Sequence, residues 1–334
     1  MKDKEIKYTI TGILVMILVY AHVPAVLELL NIPFYESKAS VLYLPRFYFF
    51  NSFYLTCFFV LEGMYSLFDK PIKEQLILDI KRLFIPCIIV GFFAEIVKSC
   101  TLDLHTLKFY LQHFFLLGPG DYYIVYMLLF TRLFYKLSLF IKNNTVRLVV
   151  LLGFSFLGCI INNLVSGQFR YWEQVLILVP FIEFGRIFKD KLYNIWRIIV
   201  VFILYCALCS IFVHLQTKLP YIHDGGRLSV KLWPVYVIMG TFGSISLIAL
   251  CRHFNSRALR YIGKNFLGYI LVHISILIII IRLFYNQIIS SLNCFLPACI
   301  MVCSLFIITL LISTGFVFLF NKKPLKSILG TIED

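Results

Sequence analysis

Ten largely apolar runs, most close to the ~20 residues that a hydrocarbon core of ~30 Å demands, take up nearly all of this chain. They cover approximately 10–31, 46–68, 83–99, 121–141, 145–165, 172–188, 195–216, 231–251, 265–285 and 294–320. The third and sixth are short. In lipid every backbone N–H and C=O must find a partner within the protein, so only helices and closed barrels span. Runs of this length suit helices, since barrel strands need only ~9–11 residues. Charged residues make up 14% of the chain, against about 25% in soluble domains. The sequence therefore predicts an all-α polytopic membrane helix bundle of about ten transmembrane helices. It forms a single domain over 1–334 with no appended soluble domain. The stretch 105–117 is apolar but too short to span and reads as an interfacial or re-entrant helix. The first run is too long for the core of a cleavable signal and reads as the first span.

Basic residues orient the bundle. With the amino terminus cytoplasmic, the terminal inner segments hold three basic residues each and the four inner loops hold four each. That is 22 of the 31 Lys and Arg, the excess expected of cytoplasmic segments. Both termini are then cytoplasmic. Trp172, Trp196 and Trp233 fall at span ends, the depth that indole prefers. A net charge of +14, spread as clusters beside spans, reflects topology and contact with anionic membrane lipids rather than nucleic acid.

Two histidines and two glutamates stand out deep within the spans: His22, Glu62, Glu183 and His273. His22 is about 12 residues into the first span, roughly 18 Å from the cytoplasmic side. Glu62 lies in the inner half of its span, and Glu183 and His273 near mid-depth. An ionised group there costs ~2.5–3.5 kcal/mol, so these residues should pair or line a wet cavity. One expectation is a histidine–carboxylate pair, in which the carboxylate holds the imidazole tautomer and stabilises the protonated ring. Which histidine meets which glutamate is open at this point. The alternative is interhelical hydrogen bonding without chemistry. Ten cysteines, among them the pair Cys206 and Cys209 spaced C-x-x-C, lie mostly in apolar segments and read as packing, with no metal site. No G-x-S-x-G, Walker A or H-E-x-x-H motif occurs.

Three stretches in order resemble the acyltransferase-3 family of integral membrane acyltransferases, in its sugar O-acetylating branch. The first is ILVMILVYAHVP, whose histidine is His22. The second is FYLTCFFVLEGMYSLF followed by KRLFIPCII, similar to the family's F-F-x-x-S-G segment and its basic-R-L-x-x-P-Y entry to the third span. The third is RYIGKNFLGYILVH, residues 260–273, similar to G-K-N-S-x-x-x-Y-x-x-H. The chain departs from the pattern at Thr11, where the family carries Arg or Lys, with Lys7 the nearest basic residue. It departs also at Tyr54 and Thr56, which replace a His and a Pro, and at Glu62 and Phe266, each in place of serine.

The resemblance implies transfer of acetyl from acetyl-CoA to a hydroxyl of a cell-surface polysaccharide or its lipid-linked precursor, at a bacterial cytoplasmic membrane. His22 would be the general base, with Glu62, Glu183 or His273 orienting it or holding the acceptor. Lys81, Arg82, Arg257, Arg260 and Lys264 would meet the phosphates of the donor. Without an attached acyl-receiving domain, the acceptor must reach the membrane cavity, or a partner protein of glycan assembly must relay the acyl group. Two other readings are an exporter or flippase for polysaccharide or lipid-linked sugar, and a family member that has lost catalysis.

Overall fold

The computed structural model describes residues 3–43, 49–66, 68–99, 123–164, 171–189, 195–215, 228–252, 254 and 256–322, and every regular element among them is a helix. In chain order these are α1 (Asp3–Leu29), a 3-10 segment (Lys38–Tyr43), α2 (Tyr54–Tyr65), α3 (Ile72–Asp79), α4 (Ile85–Ser99) and α5 (Tyr123–Ser138). Then come α6 (Asn144–Leu164), α7 (Trp172–Phe188), α8 (Ile195–His214), α9 (Trp233–Cys251), α10 (Arg257–Lys264), α11 (Phe266–Leu283), α12 (Tyr285–Leu292) and α13 (Phe295–Phe320).

Five helical stretches, Lys4–Leu29, Asn144–Leu164, Val230–Cys251, Phe266–Leu283 and Phe295–Phe320, are long and apolar enough to cross a bilayer, and Tyr54–Tyr65 and Ile198–His214 are apolar but shorter. The chain is a multi-pass membrane protein. The stretch 105–117 lies outside the described residues.

α1, α9 and α11 are mostly buried, whereas α6 and α13 are mostly open. α13 shows why. Ala298, Val302, Leu305, Thr309, Ser313 and Val317 recur every three or four residues on one buried face, while Ile300, Ile307, Leu311 and Phe318 are exposed. At the 3.6-residue period this leaves an outer surface suited to acyl chains.

Contacts fix the directions of the helices. Arg260 meets Glu5 and His273 meets His22, so α10–α11 runs parallel to α1. Tyr269 meets Thr314 and Asn265 meets Asn321, so α13 returns antiparallel to α11. Asn162 meets Glu173 while Arg147 meets Glu183, making α6 and α7 an antiparallel pair. Glycine lets helices close at two places, between α1 and α10 and between α2 and α7. A Cβ at Gly12 would overlap the Leu259 carbonyl, and one at Gly63 the Ile182 carbonyl.

The helix that carries the third apolar run begins earlier than hydropathy indicates. Helix runs from Ile72 to Ser99 through a π-helical stretch, Ile80–Phe84. Its first part turns Gln75 and Asp79 inward and leaves Ile77 exposed. The inward face is polar because Asp79 receives Arg132, with Nη2 at 3.1 Å and Nε at 3.2 Å.

Pro24 sits inside α1, two residues after His22. Proline has no N–H, so the Tyr20 carbonyl one turn back loses its helical donor. Tyr43 replaces it: its hydroxyl donates to Tyr20 O at 3.0 Å, and its ring stacks on Tyr20 at 4.7 Å. Tyr43→Phe strands that part-buried carbonyl and should lower stability by about 1 kcal/mol, read as a reduced unfolding temperature in detergent. An unchanged temperature would mean that the carbonyl finds another donor.

Candidate active site

α1 and α11 bring the two mid-depth histidines together. His22 Nδ1 lies 2.7 Å from His273 Nε2, with the rings nearly parallel and their centroids 5.0 Å apart. His273 Nδ1 lies 2.8 Å from the Tyr269 carbonyl of its own helix. These partners assign the protons. A carbonyl only accepts, so His273 carries hydrogen on Nδ1, and when neutral it accepts at Nε2. His22 must then donate from Nδ1, which puts its lone pair on Nε2. Both rings are buried, His273 at 0% and His22 at 7% exposure, so His22 is the less enclosed of the two.

Among the described residues, the expected pairing of His22 or His273 with Glu62 or Glu183 is not formed; both glutamates go to arginines. Glu183, fully buried, accepts from Arg147 Nε at 3.1 Å and Nη2 at 2.9 Å, from the Tyr135 hydroxyl at 2.6 Å and from Arg186 Nη2 at 3.2 Å. Arg147 also donates to the Ile141 carbonyl and Asn144 Oδ1. This set clasps α5, α6 and α7 together. Glu62 sits in a second network. Its Oε2 takes Arg132 and the Ser66 hydroxyl, and its Oε1 takes Lys7 Nζ at 3.2 Å. Through Arg132 and Asp79 this network joins α1, α2, α3 and α5. Planar, permanently charged guanidinium is the better partner for a carboxylate at depth. A neutral histidine needs only a hydrogen bond.

Beside Glu62 lies a cavity of about 100 Å³ lined by Lys7, Tyr8, Thr11, Phe58, Leu61, Glu62, Leu128, Gly263, Lys264 and Phe266. His22 is not in its lining. Thr11 precedes His22 by eleven residues, about 16 Å along the helix. Of the five basic residues expected to meet a donor, Lys264 alone lines this cavity. Arg260 is engaged by Glu5 at 3.2 Å, Lys81 and Arg257 are exposed elsewhere, and Arg82 is half-buried in the π-helical stretch.

Each polar residue of the stretch 263–273 has a distinct place. Gly263 packs on the Tyr8 carbonyl where a Cβ would not fit, and Lys264 reaches the cavity. Asn265, at the α10–α11 junction, donates to the Tyr261 carbonyl at 2.8 Å and accepts from Asn321 at 2.9 Å. Tyr269 supplies the carbonyl that orients His273, and His273 meets His22.

Among the described residues no three His, Cys, Asp or Glu side chains gather as a metal ion requires. Comparison with family models, with curated proteins and with solved structures finds no match for this chain. The functional reading therefore stands on the residues and their geometry.

Proposed function

We propose that this chain is a membrane O-acyltransferase. It moves acetyl from acetyl-CoA to a hydroxyl of a cell-surface polysaccharide or its lipid-linked precursor, at a bacterial cytoplasmic membrane. The observation that carries the reading is the His22–His273 pair anchored on the Tyr269 carbonyl. An alcohol is a weak nucleophile at neutral pH and needs a base within hydrogen-bond reach. His22 Nε2 takes the hydroxyl proton as the alcohol oxygen attacks the thioester carbonyl. The C–S bond then breaks, the ester forms, and the departing thiolate takes the proton back from His22. While His22 is protonated, its Nδ1–H bond to His273 holds the ring and shares the charge.

The cavity at Thr11 suits the donor's entry. Three positions where the chain departs from the resembled pattern, Thr11, Glu62 and Phe266, all line it. Lys7, one turn before Thr11, brings back a cation to the same space. Ligand sites commonly run to ~300–1,000 Å³, so this cavity takes part of a donor, whose pantetheine arm extends along α1 toward His22 as a path opens.

Ten spans with both termini cytoplasmic fit the contacts. Lys7–Glu62 and Arg260–Glu5 each join residues that this count puts on the inner side. Asn162–Glu173 joins residues that it puts near the outer face. α1 and α11, both odd-numbered spans, run parallel as the count requires.

Release of free CoA from acetyl-CoA tests the activity. Membranes containing the chain should release thiol faster than membranes lacking it, and faster still with acceptor glycan. Equal release with and without the chain would remove the proposal.

A further inference from the structure

We infer that Lys7 is an exchangeable cation: Glu62 holds it while the cavity is empty, and a phosphate group of the donor takes it over on binding. This rests on the cavity being the donor's entry. The two oxygens of Glu62 are held differently. Oε2 is fixed by Arg132 and by Ser66 of its own helix end, and Arg132 is fixed in turn by Asp79. Oε1 holds Lys7 through one contact at 3.2 Å, and the Lys7 side chain is 26% exposed against 13% for Arg132. Lys7 can leave without dismantling the rest, since Glu62 keeps Arg132.

The charge balance favours an anion. Lys7 and Lys264 face Glu62 in the lining of this cavity, an excess of one positive charge. Lys264 lines the cavity with no carboxylate partner among the described residues. An entering phosphate therefore finds one cation waiting at Lys264 and one that must first part from Glu62. Glu62 competes with the ligand for Lys7 and so sets affinity without touching the ligand; it is a positioning residue.

Binding of coenzyme A, and separately of inorganic pyrophosphate, to the purified full chain in detergent by calorimetry tests this. Lys7→Met should weaken binding of CoA about threefold in the wild-type background and about tenfold with Glu62→Gln, because the second background has no ion pair to break. Glu62→Gln alone should tighten binding. Asp79→Asn removes a carboxylate from Arg132 and none from Lys7, so it should leave the effect of Lys7→Met near threefold. Equal effects of Lys7→Met in the wild-type and Glu62→Gln backgrounds would overturn the exchange. Should Glu62→Gln fail to fold, Lys7→Met and Lys264→Gln decide: the exchange requires the Lys264 variant to lose more affinity, and the reverse order overturns it. A wild type that binds neither probe would overturn the donor reading and the exchange with it. Binding with additive Lys7 and Glu62 effects overturns the exchange alone.

Discussion

Membranes carrying His22→Ala should transfer acetyl about 10²–10⁴-fold more slowly than wild type, the usual contribution of a positioned general base. The loss should fall on turnover, with CoA still bound, because the cavity lined by Lys7 and Lys264 lies about 16 Å along α1 from the ring. His273→Phe should give a smaller loss. It removes the acceptor 2.7 Å from His22 Nδ1, so the imidazole stays in place as a base but no longer has its tautomer and orientation held. Rates of CoA release at saturating donor compare the three proteins. A His273→Phe enzyme as fast as wild type would show that the pair is packing and that His22 works without it.

Arg147→Met should destabilise the protein by about 3–5 kcal/mol, the cost of breaking a buried pair from one side. Glu183 is 0% exposed and takes two hydrogen bonds from Arg147, and the Arg186 left behind is a longer, half-exposed partner at 3.2 Å. Replacing both partners, Arg147→Met with Glu183→Leu, should recover much of the loss, since no charge is then stranded. Thermal unfolding in detergent distinguishes the two variants. Equal stability of Arg147→Met and wild type would mean that Arg186 and Tyr135 satisfy the carboxylate unaided.

The helical membrane character of the chain was legible because hydropathy and span length are local properties. So was the interest of His22 and His273, two polar residues in apolar runs. Their meeting was not legible, because nothing in either segment says which helix lies beside which. The glutamates show a second limit. Lys7, Arg132 and Arg147 belong to the basic clusters that a charge count reads as signals of orientation. They also serve as partners for Glu62 and Glu183. The third helix shows a third. Lys73, Glu74, Asp79, Lys81 and Arg82 depress hydropathy over 72–82, so hydropathy alone starts the run at 83. Asp79 and Gln75 nevertheless point inward, and their charge and polarity are met by Arg132 and by each other. Hydropathy counts a polar residue as wet whether water or an arginine receives it.

The decisive measurement is incorporation of labelled acetyl from acetyl-CoA into glycan by the purified chain reconstituted in lipid vesicles, wild type beside His22→Ala. Label on the glycan with wild type, and almost none with the variant, is the predicted result. Equal labelling by the two proteins, or none by wild type with acceptor present, would contradict it.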